Sequence, residues 1–215
     1  MKKLAKQLRK PSGRMAKKVG RKMNESNGSM YDSTLDAMQL AEGDSILEIG
    51  FGNGKFFDKI FSRKNDLHLS GLDYSAEMIN EARSHNKDAI DAGRLTLRYG
   101  NSDKIPFPNS SFDKVFCINV VYFWEDPRKH LQEIHRVLKP GGKFYSVMRD
   151  KKTMLQMPFA KYGFTRYEQE EWESILRNNH FSIDIVKRIE EPEFKLGNKK
   201  YQNQSLCFIA EKDRD

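Results

Sequence analysis

The sequence predicts an α/β fold in which helices cover both faces of a mostly parallel sheet. Three observations support it: strand-like and helix-like segments alternate five times, a glycine-rich loop follows the first strand, and an acid ends the second. Parallel strands need long crossovers, and this alternation is therefore typical of a doubly wound sheet. Gly50, Gly52 and Gly54 allow a sharp turn between strand and helix and let a ligand approach the backbone.

The first strand and its loop, residues 44–55, indicate the chemistry of that ligand. The glycine spacing is G-x-G-x-G, and Lys55 stands where a dinucleotide fingerprint has its third glycine. Glu48 ends the strand where a pyrophosphate would meet its negative charge, which favours a ligand that carries a cation here and no phosphate. S-adenosylmethionine has this chemistry, because it combines a sulfonium, an ammonium, a ribose and an adenine.

The second strand carries another acid. Residues 68–72 form a short predicted strand, and Asp73 ends it 19 positions after Gly54. An acid at this place is suited to bind both hydroxyl groups of a ribose. Ser75 is then the predicted N-cap of the next helix, which has apolar residues at helical spacing.

The remaining strands complete the sheet. The third is predicted at residues 95–99 and the fourth at 112–119, and a fifth follows the paired glycines that end at Gly142. The sixth alternates at Phe181, Ile183 and Ile185, and residues 205–210 are apolar enough for a strand inside the sheet. These last two strands form a predicted antiparallel pair.

Two helices in the second half have recognisable start signals. Asp126 and Pro127 are a good N-cap and first-turn pair for one of them. The other is predicted at residues 167–179, where Thr165 and Glu168 have the spacing of a capping box. Residues 150–164, rich in Met, Phe and Lys, are interpreted as a loop or lid over the substrate.

Four motifs now stand in order along the chain. They are Leu47-Glu-Ile-Gly-Phe-Gly-Asn-Gly54, Gly71-Leu-Asp-Tyr74, Gly100-Asn-Ser-Asp103 before Ile105-Pro-Phe107, and Arg136-Val-Leu-Lys-Pro-Gly-Gly142. Over roughly residues 30–212 the chain resembles the class I S-adenosylmethionine-dependent methyltransferases. Within that family it is similar to the small-molecule group typified by the ubiquinone and menaquinone biosynthesis enzymes.

The resemblance implies an architecture. It is a Rossmann-like, seven-stranded sheet in the order 3-2-1-4-5-7-6, with the last strand antiparallel and helices on both faces. A single methyltransferase domain would occupy residues 31–215, and residues 1–30 would form a basic helical arm or cap. The expected cofactor is S-adenosylmethionine, with S-adenosylhomocysteine as its product.

The resemblance also implies a role for individual residues. Asp73 would bind the ribose, and Tyr74 and Met78 would pack against the adenine. Many relatives have an acid at the position of Asn101, whose amide oxygen can still accept from the adenine amine. The implied cofactor-binding set is Glu48, Gly50, Phe51, Gly52, Gly54, Asp73, Tyr74, Met78, Asn101, Ser102 and Asn119.

The acceptor pocket is expected beside the fourth strand. Its predicted walls are Tyr31, Tyr122, Phe123 and Trp124. Methyl transfer from a sulfonium is an in-line displacement at an activated carbon, so alignment and desolvation supply most of the acceleration. The catalytic residue is left unassigned, and its candidates are Asn119 and Tyr122. The histidines show no metal-ligand spacing, and no metal is expected.

Basic charge is concentrated at the amino terminus. Residues 1–23 hold ten basic side chains and no acid, which leaves the rest of a chain of net charge +8 at −2. Apolar residues recur about every four positions in this arm, and Pro11 to Gly13 divide it into two helical pieces. The apolar residues are Leu4, Leu8, Met15, Val19 and Met23. The arm either packs over the cofactor cleft or contacts an anionic membrane or RNA; a transit peptide is a lesser possibility.

Other features concern the cellular setting. Cys117 and Cys207 lie in apolar strand patterns and are expected to be free, buried thiols in a reducing compartment. No run of about 18 apolar residues suggests a membrane span, and no signal-peptide pattern follows the start. These features predict a soluble, cytoplasmic enzyme with a small-molecule substrate.

Three other functions stay open. An RNA methyltransferase recruited by the arm is one, although Asn119-Val-Val-Tyr122 lacks the two prolines of the N-P-P-Y type motif of base amino-methylases. Arsenite methylation is another, but it uses several thiols and the chain has two cysteines. The third is a non-catalytic S-adenosylmethionine-binding protein, which would need the same glycine loop.

Overall fold

The computed structural model describes residues 1–196 and 199–213, and its centre is a large β-sheet. The strands of this sheet are β1 Ser45–Ile49, β2 His68–Asp73, β3 Leu95–Tyr99, β4 Phe112–Ile118, β5 Leu138–Arg149, β6 Phe181–Glu190 and β9 Gln204–Lys212. A separate two-stranded hairpin consists of β7 Phe194–Leu196 and β8 Lys199–Tyr201. The large sheet has the order β3-β2-β1-β4-β5-β9-β6, and β9 is antiparallel to both of its neighbours. The predicted order 3-2-1-4-5-7-6 is therefore confirmed.

Helices cover both faces of this sheet, as a doubly wound fold requires. They are α1 Lys2–Arg9, α2 Ala16–Met38, α3 Phe57–Phe61, α4 Ala76–His85, α5 Lys87–Asp91, α6 Pro127–Val137, α7 Lys151–Gln156 and α8 Gln169–Arg177. One apolar cluster joins α6 and α8 to the sheet, and a second joins α2, α3 and α4. Successive strand residues belong to different clusters: Ile46 packs in the second, and Leu47 in the first. Among the described residues, no helix is long and apolar enough to cross a membrane.

The parallel strands bring their carboxyl ends to one edge of the sheet. β1 pairs in parallel with both β2 and β4, and β2 pairs in parallel with β3. The loops that follow these four strands therefore meet at the same edge, which is where ligands bind in open α/β sheets.

The arm consists of two helices, as predicted, but the prediction that Met15 lies on its buried side is wrong. Ala5, Ala16 and Val19 are buried, whereas Met15 is 38% exposed. Met15 lies in a 3₁₀ turn between α1 and α2. A four-residue spacing of apolar residues places them on one buried face only within a continuous α-helix, so it does not predict burial of Met15. The predicted domain boundary at residue 30 falls inside α2 and stays a prediction.

Two local predictions are also wrong in the second half. α8 begins after Glu168, whose N–H group donates to Glu171 Oε2 at 3.3 Å, so the capping box is one turn later than predicted. In β6 the register shifts between Ile183 and Ile185, and Ile185 is 48% exposed. An extra residue in a strand moves the next side chain to the other face, and Val186 packs on the core instead. Both cysteines are free and buried.

Candidate active site

A cavity of about 290 Å³ lies at the carboxyl edge of the parallel strands. The loops after β1, β2, β3 and β4 form its floor and sides, and part of the arm covers it. Lining residues from the sheet loops include Gly50, Gly52, Asp73, Tyr74, Met78, Asn101, Ser102, Asn119, Phe123 and Trp124. Ten of the residues that the sequence predicts for the site are thus brought together around one space.

The first two glycines shape the wall of this cavity. Gly50 has φ +74°, and a Cβ atom added there would overlap Val120 Cγ2. Gly52 has φ +62°, and an added Cβ would meet no protein atom within 4 Å. Both conformations favour glycine because L side chains rarely adopt them. A side chain at Gly52 would therefore extend into the space that the cavity leaves for a ligand.

Gly54 and Phe51 do not line this cavity. A Cβ atom at Gly54 would lie 2.8 Å from Ala82 Cβ and 2.9 Å from Phe57 Cε2. The third glycine therefore lets the loop pack closely against α4 and α3. Phe51 is buried, and its ring centroid lies 5.3 Å from that of Phe57. These two predicted cofactor residues therefore stabilise the glycine loop by packing on the side away from the cavity, against α3 and α4.

Asp73 is held in place by backbone donors. Its Oδ2 accepts from the Gly52 N–H at 2.9 Å, and its Oδ1 accepts from the Ser75 N–H at 2.8 Å. Burial raises the pKa of Asp73 to about 6, and these N–H groups and the charge of Lys10 oppose the rise. Carboxylate oxygens have further lone pairs, and in a residue that lines the cavity these can accept hydroxyl donors.

Glu48 and Tyr31 form a buried pair beneath the glycine loop. The Tyr31 hydroxyl donates to Glu48 Oε1, and Glu48 Oε2 has no hydrogen-bond partner among the described residues. Burial raises the pKa of Glu48 to about 8, the hydrogen bond from Tyr31 opposes the rise, and the charge of Asp73 adds to it. Burial also raises the pKa of Tyr31 well above its ordinary value. Neither residue lines the main cavity, and the place of Tyr31 in the acceptor pocket stays a prediction.

Helix α2 adds polar residues that the sequence analysis missed. A pocket of about 20 Å³ adjoins the main cavity, and Asn24, Asn27 and Tyr31 line it. It shares Gly50 and Gly52 with the main cavity. Asn27 follows Met23 at four-residue spacing, so continuing the row of inward-facing arm residues by one helical turn would have identified it.

The cavity also contains His130, which the sequence analysis does not assign to the site, beside the predicted residues Ser102 and Trp124. Ser102 Oγ and His130 Nδ1 lie 2.8 Å apart, and the His130 ring stacks on Trp124 with centroids 4.6 Å apart. Burial lowers the pKa of His130 to about 4, so the imidazole is neutral near pH 7. The predicted adenine contact Asn101 accepts from the Ser102 N–H through Oδ1 at 2.9 Å. No sequence spacing indicates this cluster, because Ser102 follows β3, Trp124 follows β4 and His130 lies in α6.

Asn119 ends β4 in a left-handed conformation with φ +59°. Its Nδ2 donates to Asn27 Oδ1 at 3.0 Å, and its Oδ1 accepts from the Tyr122 hydroxyl at 3.0 Å. Tyr122 is buried outside the cavity lining, and burial raises the pKa of its phenol. Phe123 does line the cavity, and its ring lies 4.6 Å from that of Phe164 in the segment 150–164. That segment is not a plain loop, because it contains α7.

The raised pKa of Glu48 predicts how stability changes with pH. A carboxyl group that ionises near pH 8 in the folded chain and near 4.5 in the unfolded chain favours folding below 4.5, and this contribution is lost as pH rises to about 8. We expect Glu48→Gln, measured without ligand by urea denaturation, to gain stability relative to the wild type across that window. Glu190→Gln, at an exposed position, is the control. If the difference in free energy of unfolding between Glu48→Gln and the wild type does not change with pH, Glu48 is not buried in its protonated state.

Comparisons with known proteins indicate a methyltransferase domain in this chain. A family model described as a methyltransferase domain matches residues 47–146. The uncharacterized methyltransferase YdaC of Bacillus subtilis strain 168 is 36% identical over 121 residues, which are 56% of this chain and 65% of the relative. The ubiquinone/menaquinone biosynthesis C-methyltransferase UbiE of Geobacter sp. strain M21 is 35% identical over 99 residues, 46% of this chain and 42% of that protein. The chain thus spans less than two thirds of the length of these relatives.

Solved structures share the fold over most of the chain. A methyltransferase in complex with the Haloferax volcanii Trm112 methyltransferase activator has a TM-score of 0.81 at 22% identity, covering 91% of this chain and 93% of that one. The geranyl diphosphate C-methyltransferase of Streptomyces coelicolor A3(2), solved with S-adenosyl-L-homocysteine, has a TM-score of 0.72 at 14% identity, covering 95% and 86%. Residues 47–146 thus match a methyltransferase domain, and the chain shares its fold with class I S-adenosylmethionine-dependent methyltransferases.

Proposed function

We propose that this protein transfers the methyl group of S-adenosylmethionine to a small-molecule acceptor. The observation that carries the proposal is the covered, partly apolar cavity at the end of β4. Its apolar wall is formed by Leu8 and Met23 from the arm and by Val120 and Phe123 after β4, and we name these four residues the acceptor wall. A wall of this kind suits a small acceptor better than a polynucleotide, which needs an open groove.

The chain's own residues fit this cofactor. Bound S-adenosylmethionine would supply a methyl group that is already activated by the positive sulfur. In the proposed arrangement Asp73 accepts the ribose hydroxyls, Tyr74 and Met78 contact the adenine, and Gly52 leaves space for the ligand. Glu48 has a buried oxygen without a partner among the described residues, and on loss of its proton it would offer a negative charge to a cationic ligand above the glycine loop.

Catalysis in this proposal is positional. Tyr122 keeps its proton, because burial raises the pKa of its hydroxyl group, which donates to Asn119. No residue of the acceptor wall ionises. The acceptor therefore arrives as a competent nucleophile, and the protein contributes alignment and exclusion of water. Asn119, fixed from both sides by Asn27 and Tyr122, is the proposed positioning residue at this end.

The arm is proposed to be the cover of the site. Arg9 O accepts from the Tyr74 hydroxyl, and Pro11 O accepts from Ser75 Oγ at 2.6 Å. The Gly13 N–H donates to Glu77 Oε1 at 2.9 Å, and the guanidinium of Arg9 lies 3.2 Å from Glu125 Oε1. Four contacts thus hold residues 9–13 across the rim of the cavity.

Deleting residues 1–13 is expected to speed the release of S-adenosylhomocysteine at low and high salt alike. The reason is that the deletion removes the apolar cover at Leu8 and Pro11, which salt does not screen. Stopped-flow fluorescence with the bound product would measure the rate. The triple variant with Lys2, Lys3 and Lys6 changed to Gln keeps the cover and is the control. Equal release rates for deletion and wild type would exclude a covering role.

An RNA methyltransferase is the second candidate, because basic residues crowd the arm. The experiment that separates the candidates incubates the protein and deuterium-methyl S-adenosylmethionine with cell extract, followed by mass spectrometry of the metabolite and RNA fractions. We expect label in a small molecule, and far less of it with Asp73→Asn. Label confined to RNA would favour the alternative. Tight cofactor binding without label in any fraction would indicate a non-catalytic binding protein.

A further inference from the structure

The outer surface of the arm carries most of the protein's excess positive charge. Eight basic side chains of residues 1–23 are exposed and form no ion pair within the part of the chain that the structure describes. They are Lys2, Lys3, Lys6, Arg14, Lys17, Lys18, Arg21 and Lys22. The other two basic residues are engaged: Arg9 pairs with Glu125, and Lys10 lies 5.1 Å from the centroid of the Tyr74 ring.

None of these eight cations is among the described residues that line the cavity. In the first two turns of α2, Lys17 and Lys18 are each followed by another basic residue four positions later, which makes two adjacent rows on one face. The opposite face buries Ala16 and Val19. The arm therefore has an inner surface that covers the cavity and an outer surface whose charge serves neither the cofactor nor the core.

The segment 150–164 begins beside the same face of α2. Lys18, Lys22 and Ser26 follow one another at four-residue spacing along this helix. Arg149, the last residue of β5, donates from Nη2 to Ser26 Oγ at 2.8 Å and to Ser26 O at 3.1 Å. The chain then enters residues 150–164, which expose two further cations, Lys152 and Lys161.

Exposed apolar side chains accompany these cations. Among the described residues, six large hydrophobic side chains are exposed, and four of them belong to the arm and to residues 150–164. They are Met1 at 57%, Met15 at 38%, Leu155 at 61% and Tyr162 at 37% exposed. Cations together with aliphatic and tyrosine side chains are the combination that suits the interfacial region of a bilayer.

We propose that the arm and residues 150–164 form a docking face for the surface of an anionic phospholipid bilayer. The cations contact the headgroups, and the four apolar side chains enter the interface beneath them. Charge alone would also suit RNA, but residues 1–23 contain no aromatic side chain for stacking on bases. Seven of their ten cations are Lys, whereas bidentate phosphate recognition favours Arg. Exposed Met and Leu side chains have no use against phosphates.

The first test is sedimentation of the full chain with vesicles of phosphatidylcholine, with and without phosphatidylglycerol. We expect binding to the anionic vesicles that weakens as salt rises. The variant with Lys17, Lys18, Arg21 and Lys22 changed to Gln should lose about fivefold in partitioning for each charge removed. The matched control changes four exposed cations elsewhere, Lys64, Arg83, Arg98 and Lys104, to Gln. Equal binding by the two variants, or no binding by the wild type, would overturn the proposal.

The second test separates a bilayer from a polynucleotide. Leu155→Asn is expected to weaken binding to anionic vesicles, whereas Ile185→Asn, a similar change at an exposed site on β6, is not. Both variants should bind S-adenosylhomocysteine like the wild type, which shows that they are folded. Binding to single-stranded RNA that depends on the four α2 cations, with vesicle binding unaffected by Leu155→Asn, would contradict the bilayer as the partner.

Discussion

Replacing Gly52 with Val is expected to abolish measurable S-adenosylmethionine binding while the protein remains folded. A Cβ atom at this position meets no protein atom within 4 Å, so the new side chain would occupy the cavity without disturbing the core. The positive φ of +62° adds backbone strain, which costs on the order of 1–2 kcal/mol for an L residue. Titration calorimetry would measure the loss, and circular dichroism would establish the fold.

Gly93→Val is the matched control for this variant. Gly93 has φ +69°, and an added Cβ atom would also meet nothing within 4 Å, but the residue lies in a surface turn before β3. The two variants should therefore lose similar stability, and only Gly52→Val should lose the ligand. Normal binding by Gly52→Val would mean that the cofactor does not approach this loop.

Asp73→Asn is expected to weaken S-adenosylmethionine binding by roughly 1–3 kcal/mol, the range for hydrogen bonds to a charged group. The carboxylate is already oriented by the N–H groups of Gly52 and Ser75, so little rearrangement is needed when ribose hydroxyls donate to it. Asp88→Asn, at an exposed position on α5, removes the same charge and should not change the affinity.

The pH dependence of this affinity adds a second criterion. The pKa of Asp73 in the free protein is raised to about 6, so at lower pH the carboxyl group is protonated and binding must release that proton. Wild-type affinity should fall as pH drops through 6, and the Asp73→Asn variant should lack this step. An unchanged affinity in Asp73→Asn at neutral pH would remove the residue from the site.

Local sequence signals were sufficient for the sheet and for part of the site. β1 and β4 have buried residues on both faces, and consecutive apolar residues such as Ile46-Leu47 and Val115-Phe116 are typical of a strand that is covered on both sides. Gly50, Gly52 and Asp73 lie at the ends of such strands, and the parallel topology alone brings these ends together. The position of these residues at the cavity therefore follows from individual strands, each of which is recognisable in the sequence by itself.

The rest depends on packing between distant parts of the chain. Tyr31 was assigned to the acceptor pocket, but its partner Glu48 is reached only because α2 crosses the end of β1. Ser102, Trp124 and His130 form a cluster although no spacing relates them. The alternating apolar residues of β6 likewise give no sign of the bulge that exposes Ile185, because this bulge arises from pairing with β9.

A crystal structure of the protein with S-adenosylhomocysteine tests the central claim most directly. We expect both ribose hydroxyls to donate to the carboxylate of Asp73 and the adenine to lie against Tyr74 and Met78 beneath the arm. The sulfur should face Asn119 and the acceptor wall. A ligand bound elsewhere, or a ribose without contact to Asp73 in this cavity, would contradict this claim.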